Sequence, residues 1–336
     1  MKKLKILAIK FKYLGDVIIM LPSLRMLRRQ WPEAELHVLV AAEAAPFLQG
    51  LDWIDRVWSF PRTRGKVRLS ACWPQIRQLR AEKFDRSVDF VGNDRGAIVS
   101  RLIGAKERLG VFAPKGFAGR KWCYSTTVEE LDLTRHEVVR DAHVLSGWDV
   151  PFLAEECVPH LAAPAPSPEA EQLLPAGTVL CHLSTSQPKK EWPATRWAEL
   201  GQQLSAAGHP VAFTAGPSER EQALLDELRQ ADPQANILPR FATLDLFIAT
   251  VARARLFISP DTAPLHIAAG LGVPTLGLFG PSAASRWAPL GPANRHLQGG
   301  LCPCSGHLHT CAQPQRCLDG ISVAQACETA LEMLAR

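Results

Sequence analysis

Short apolar runs alternate with amphipathic stretches along this chain, and the alternation predicts repeated strand–helix units. Residues 4–10 (LKILAIK) read as the first strand. Behind them Val17, Met20, Leu21, Leu24 and Leu27 recur at helical spacing, with Arg25, Arg28 and Arg29 on the other face. Further strands are predicted at residues 35–40, Arg56–Phe60, 86–90 and 107–111, and helices at 41–48, Trp73–Ala81, 95–103 and 136–147. Residues 162–175 (AAPAPSPEAEQLLP) are rich in Pro and Ala and read as a linker. A second series follows, with strands at 178–183, 210–214, 236–238, 256–258 and Thr275–Phe279, and helices at 193–207, 219–230, 244–253 and 263–271. This order predicts an α/β chain of two Rossmann-like, doubly wound parallel-sheet domains, 1–165 and 166–336, with ligands at strand C-termini facing an interdomain cleft. The last helix, about 321–336, is a candidate to pack back onto the N-terminal domain.

Composition narrows the class. With 336 residues, 47% apolar and 21% charged, the chain is long enough for two ordinary cores. No apolar run reaches the roughly 20 residues a bilayer span needs; the nearest, 263–280, is broken by Pro264, His266, Pro274 and several glycines. The first apolar run ends too soon, at Lys10 and Lys12, for a signal peptide, so a cytoplasmic location is expected. Charge is divided unevenly. Residues 1–165 carry 26 Lys+Arg against 19 Asp+Glu, and residues 166–336 carry 12 against 14. A basic first half suits an anionic partner such as a phosphorylated lipid head group, the ordinary alternative being solvated arginines on helix surfaces. Nucleic acid ranks low, because the basic residues lack interleaved aromatics for stacking.

Three stretches carry candidate chemistry. Residues 256–280 read as strand, polar turn, short helix and strand, with Asp261 or Thr262 as the helix N-cap. Unpaired N–H groups and the positive dipole end at that helix start, around Thr262 and Ala263, favour a phosphate. His266, four residues past Thr262, falls on the same face and is either a satisfied core histidine or a hydrogen-bond partner of the phosphate. In the loop at residues 184–190, Thr185, Ser186 and Lys190 offer hydroxyls and an ammonium at a strand end, although surface lysines are more often merely solvated. At the end of the first strand, Asp16 is placed either to cap the helix beginning at Val17 or to take a proton as general base. Cysteines 72, 123, 157, 181 and 327 are scattered and read as reduced thiols. Cys302, Cys304, Cys311 and Cys317 cluster within 16 residues and suit a structural zinc or iron, or else a group of reduced thiols.

Three segments, IKFKYLGDVIIMLPSL, STSQPKKEWPATRWAEL and FISPDTAPLHIAAGLGVPTLGLFGPS, resemble the glycosyltransferase family 9 heptosyltransferases over nearly the whole chain. The resemblance implies the GT-B fold and inverting transfer of a heptose from ADP-heptose to the lipid A-core acceptor of lipopolysaccharide, without a catalytic metal. It further implies a peripheral enzyme at the cytoplasmic surface of the inner membrane, and the Lys-Tyr-Leu-Gly-Asp form of the first motif looks most like the branch adding a third heptose. On that likeness Asp16 is the base, Thr185, Ser186 and Lys190 hold the donor phosphates, and Asp261, Thr262, Ala263 and His266 form the donor turn. The basic loop with Arg62, Arg64, Lys66 and Arg68 would meet acceptor phosphates. Family members set an acidic residue on the donor ribose just before a Leu-Pro pair. Here Leu238-Pro239 follows Asn236-Ile237, so Asn236 stands near the ribose position. Two alternatives stand beside this one. The cysteine cluster resembles that of iron-binding transferases that heptosylate autotransporter proteins, and the missing acid is the feature favouring a non-catalytic ADP-sugar-binding homologue.

Overall fold

Strand β1, Lys5–Lys10, is buried from Ile6 onward and forms the middle of the first sheet. The protein, seen here as a computed structural model, is described over residues 3–61, 69–112, 116–300 and 317–336. It divides into two compact units, Met1–Leu161 and Ala162–Arg336.

In the first unit, β1 is followed by α1 (Leu14–Gln30), β2 (Glu35–Ala41), α2 (Ala45–Gln49), β3 (Arg56–Phe60) and α3 (Trp73–Ala81). The remaining elements are β4 (Arg86–Asp89), α4 (Asp94–Ile103), β5 (Glu107–Phe112), β6 (Thr126–Glu129) and α5 (Glu137–Val144). The six strands pair in parallel in the order β3-β2-β1-β4-β5-β6. The order reverses beside β1, where Lys10 registers with Val40 on one side and Ile9 with Asp89 on the other. In an open parallel sheet this reversal is where loops diverge and ligands bind.

Helix α1 starts at Leu14, three residues earlier than the apolar spacing predicts. Tyr13 takes the N-cap position in extended conformation without a side-chain cap bond. Asp16 is therefore not the cap; it lies inside the first turn, where the positive end of the helix dipole favours a carboxylate. Arg28 and Arg29 in the last turn complement the opposite end.

The second unit runs α6 (Pro168–Leu173), β7 (Val179–His182), α7 (Ala194–Ala206), β8 (Val211–Thr214), α8 (Glu219–Ala231) and α9 (Leu244–Val251). Then come β9 (Leu256–Pro260), α10 (Ala263–Gly270), β10 (Thr275–Phe279), α11 (Ala284–Trp287), β11 (Arg295–Gln298) and α12 (Val323–Leu334). Its sheet is parallel, in the order β11-β10-β9-β7-β8. The predicted strand at 236–238 is only a bridge, Ile237 beside Phe213 of β8, held by Phe213 N–H to Asn236 O and Leu238 N–H to Phe213 O, both 2.9 Å. Counting that bridge, the second sheet repeats the strand order of the first.

Helix α6 falls within the stretch predicted as linker. Ser167 caps it by accepting from the Ala170 N–H, and Pro168 at its start suits a first turn that needs no N–H. The last helix, which the sequence leaves open to packing on the first domain, buries Val323, Ala326, Ala330 and Met333 in the second unit's core with Trp192, Trp197 and Leu256. Helix α10 lies close on its sheet. A Cβ at Gly277 of β10 would stand 3.0 Å from Leu265 and 2.6 Å from the Phe279 ring, so only glycine permits that approach.

Candidate functional site

At the reversal point of the first sheet, two charged residues of the β1–α1 unit are buried. Lys10 is the last residue of β1, and its Nζ makes an ion pair with Asp141 Oδ2 of α5, both side chains almost wholly enclosed. Asp16 of α1 is 7% exposed, and its Oδ1 has no hydrogen-bond partner among the described residues. Burial pushes the Asp16 carboxyl above the ordinary carboxylate range. Lys10 and Lys12 pull it down, Glu137 raises it, and a backbone hydrogen bond at Tyr13 lowers it. Burial likewise raises Asp141, to about 7, against the opposing pull of Lys10. A carboxylate with an open lone pair and raised proton affinity has the properties of a general base.

Beside β1, the Phe11 and Phe60 rings stack at 5.4 Å, and the Arg95 guanidinium from the first turn of α4 lies 4.3 Å over the Phe11 ring. Arg95 Nε and Nη2 are enclosed without hydrogen-bond partners among the described residues. The sequence reading passed over Lys10, Asp141, Glu137 and Arg95. Nothing in a local pattern distinguishes a buried lysine at a strand end from a solvated one. The basic loop with Arg62, Arg64, Lys66 and Arg68 lies outside the described residues.

In the second unit the order reverses between β7 and β9, and the two candidate loops leave from those strand ends. Lys190 Nζ contacts Asp261 Oδ2 at 2.6 Å, with side chains 22% and 11% exposed. Burial alone would raise Asp261, but the Lys190 ammonium, the Ser282 hydroxyl and nearby His266 together hold it below its ordinary value. Thr262 takes the N-cap position of α10 in extended conformation, and its side chain makes no capping bond. The N–H of Ala263, at the first helical position, is among those a helix leaves without an internal partner. His266 is buried on the same helix.

The loop after β7 is built largely on itself. The Thr185 hydroxyl donates to Gln187 O at 2.6 Å and accepts from Gln187 N at 3.0 Å. Thr185 N donates to Glu191 Oε1 at 2.9 Å, and Arg220 of α8 donates to both Glu191 oxygens, at 2.8 and 3.0 Å. A second Arg220 nitrogen donates to Thr185 O. Ser186 is exposed. Sequence reasoning missed Glu191, Arg220 and Ser282, which brace this loop and Asp261. The structure thus brings Lys190 and Asp261 together across the reversal point, beside Thr262, Ala263 and His266. Asn236 is set apart: it is exposed, on the far side of β8, with β7 and β8 between it and β9. Of the cysteine cluster, Cys302, Cys304 and Cys311 lie outside the described residues and Cys317 is half-buried. Among the described residues there is no group of three or more His, Cys, Asp or Glu that could hold a metal ion.

Such paired parallel sheets, with polar turns at each reversal point, recur in known proteins. The chain is 25% identical over 294 residues to lipopolysaccharide heptosyltransferase 3 of Escherichia coli, covering 83% of this chain and 84% of that one. A solved glycosyl transferase family 9 structure from Veillonella parvula superposes with a TM-score of 0.80 at 20% identity, over 98% of this chain and 97% of that one. The E. coli ADP-heptose lipopolysaccharide heptosyltransferase II structure gives 0.75 at 20% identity, over 99% of both chains. These likenesses place the two-sheet α/β architecture in the GT-B class. The model of glycosyltransferase family 9 (heptosyltransferase) matches residues 73–313, well over half the chain, and the protein is therefore a glycosyltransferase belonging to that family.

Proposed function

We propose that this glycosyltransferase moves a heptose from ADP-heptose to the inner core of lipopolysaccharide, inverting the anomeric carbon in a single displacement. The observation that carries the proposal is the Asp16 carboxylate, buried at the reversal point of the first sheet with Oδ1 unpartnered. Asp16 takes the proton of an acceptor hydroxyl as its oxygen attacks the anomeric carbon. The bond from that carbon to the diphosphate oxygen breaks, and the electron pair leaves with ADP. Lys190, the hydroxyls of Thr185 and Ser186, and the N–H groups at Thr262 and Ala263 oppose the charge growing on the leaving diphosphate. For Thr185 to serve the phosphate, its hydroxyl must exchange the Gln187 carbonyl for a phosphate oxygen.

The acceptor carries anionic groups, and the enclosed, partner-poor guanidinium of Arg95 suits one of them. Among the described residues no helix is long and apolar enough to cross a membrane. The lipid-linked acceptor of the proposed reaction is what would bring the enzyme, as a peripheral protein, to the cytoplasmic face of the inner membrane. The first motif and the E. coli heptosyltransferase 3 relative favour the branch adding a third heptose.

The test is transfer from ADP-heptose to purified cores truncated after one or two heptoses. Folded Asp16→Asn is expected to lose roughly 10²- to 10⁴-fold in kcat, the range for removing a general base. Near wild-type turnover in that variant would overturn the base assignment, and donor binding without transfer to any core would overturn the function.

A further inference from the structure

Three charged side chains are buried in the first unit, where α1 packs on α5, and interact electrostatically: Lys10 at the end of β1, Asp16 in α1 and Asp141 in α5. With both carboxylates ionised, the trio carries one excess negative charge. Glu137, one turn before Asp141 on α5, is also buried and pairs with Arg140 at 3.1 Å, while Arg140 additionally contacts Glu130. Lys12, in the turn between β1 and α1, adds a further positive charge facing Asp16. The Lys10 ammonium is bonded to Asp141, while Asp16 keeps an unpartnered oxygen.

We infer that the buried Lys10–Asp141 ion pair positions and tunes the Asp16 carboxylate, with Asp141 holding Lys10 away from Asp16 so that its open oxygen stays available to the acceptor. The inference rests on Asp16 acting as the base. Neither Lys10 nor Asp141 touches substrate in this role. Lys10 supplies a charge that keeps Asp16 ionised without capturing its lone pairs. Burial, with the like charge of Glu137, keeps Asp16 avid for a proton, and Asp16 and Asp141 repel one another across the pair.

The two halves of the pair have opposite effects, which a merely structural pair would not. In Asp141→Asn, Lys10 is released to bond Asp16, and one repelling charge is gone. The acid limb of the kcat/KM profile is expected to move down by about one pH unit or more, and kcat to fall about tenfold as the base weakens. In Lys10→Met the favourable charge is lost beside two carboxylates, and the same limb is expected to move up by about one unit or more. Lys10→Arg keeps the charge and should return the limb toward the wild-type position. The Asp16 carboxyl titrated by carbon-13 NMR in the ligand-free full-length protein supplies a readout independent of turnover. Should Lys10→Met not fold, Glu137→Gln with Asp141→Asn keeps the comparison, both being expected to lower the Asp16 midpoint. Midpoints that move in the same direction in Lys10→Met and Asp141→Asn, or that do not move in any variant, overturn the inference. Opposite NMR shifts alongside an active Asp16→Asn would leave the tuning intact and sink only the base assignment.

Discussion

Replacing Lys190 by methionine removes the ammonium from Asp261 while keeping a side chain of similar length. The pair stands at 2.6 Å with the carboxylate 11% and the lysine 22% exposed, between the surface and interior limits. Charge centres about 4 Å apart attract by about 4 kcal/mol at an effective dielectric near 20. Holding two partly desolvated groups together offsets much of that. Exposed pairs contribute about 0–1 kcal/mol, and breaking a fully buried pair costs about 3–5 kcal/mol. For this geometry the expected loss is about 2 kcal/mol at pH 7, read from urea unfolding.

The pH dependence gives a sharper check. In the wild type, Asp261 titrates below its ordinary 3.8 when folded, so its stabilising contribution is complete above that value and lost as pH falls through the folded midpoint. Without Lys190, burial raises Asp261, and the folded state then holds its proton more tightly than the unfolded chain. In the variant, stability instead declines as pH rises from 3.8 to the new midpoint. The deficit relative to wild type should therefore grow from the wild-type folded midpoint, below 3.8, to the variant's midpoint above it, and level off at higher pH. Equal stability at pH 7, or a deficit that is constant from pH 3 to 7, would refute the account of this ion pair.

Other perturbations reach different parts of the molecule. Burial holds the His182 imidazole down to about 4, so the unfolded chain takes up a proton first as pH falls below 6.5. That should cost the wild type roughly 2–3 kcal/mol between pH 6.5 and 4, and His182→Gln should flatten the slope in urea titrations across that window. At Gly96 an added Cβ would run into Asp89 Oδ2, part of a buried carboxylate already held by the Tyr124 hydroxyl at 2.6 Å. Gly96→Ala should lower unfolding free energy by about 1–3 kcal/mol, and an unchanged melting temperature would contradict it. Arg220→Met leaves buried Glu191 with the Thr185 N–H as its one hydrogen-bond donor among the described residues, costing about 1–2 kcal/mol. The same variant should raise KM for the donor by loosening the loop, and calorimetry with steady-state kinetics would show both.

The alternation of apolar runs carried most of this architecture because each central strand is buried on both faces, as in β7, β9 and β10. What escaped lies at the edges. Strand β6 has mostly exposed residues, and β11 (RHLQ) alternates between half-buried and exposed without an apolar run. Helix α6 is six residues long and opens on a proline, so composition alone made it look like linker. The candidate site divides in the same way. The turns bearing Asp16, Lys190 and Asp261 stood out because they follow apolar strands, but their braces did not. Arg220 meets Glu191 from 29 residues away and Asp141 meets Lys10 from 131 residues away, separations no local pattern encodes.

That last separation has a consequence for how the chain is made. Lys10 leaves the ribosome with β1, well ahead of Asp141, its ion-pair partner among the described residues. At about 5–20 residues per second, roughly 7–26 s of synthesis separates the two residues. Until α5 arrives, the centre of the first sheet contains a lysine that must keep its water, so β1 and α1 cannot close as a finished nucleus. The surroundings of Asp16 are thus completed late, by the last helix of the first unit rather than by the strand and turn that carry it.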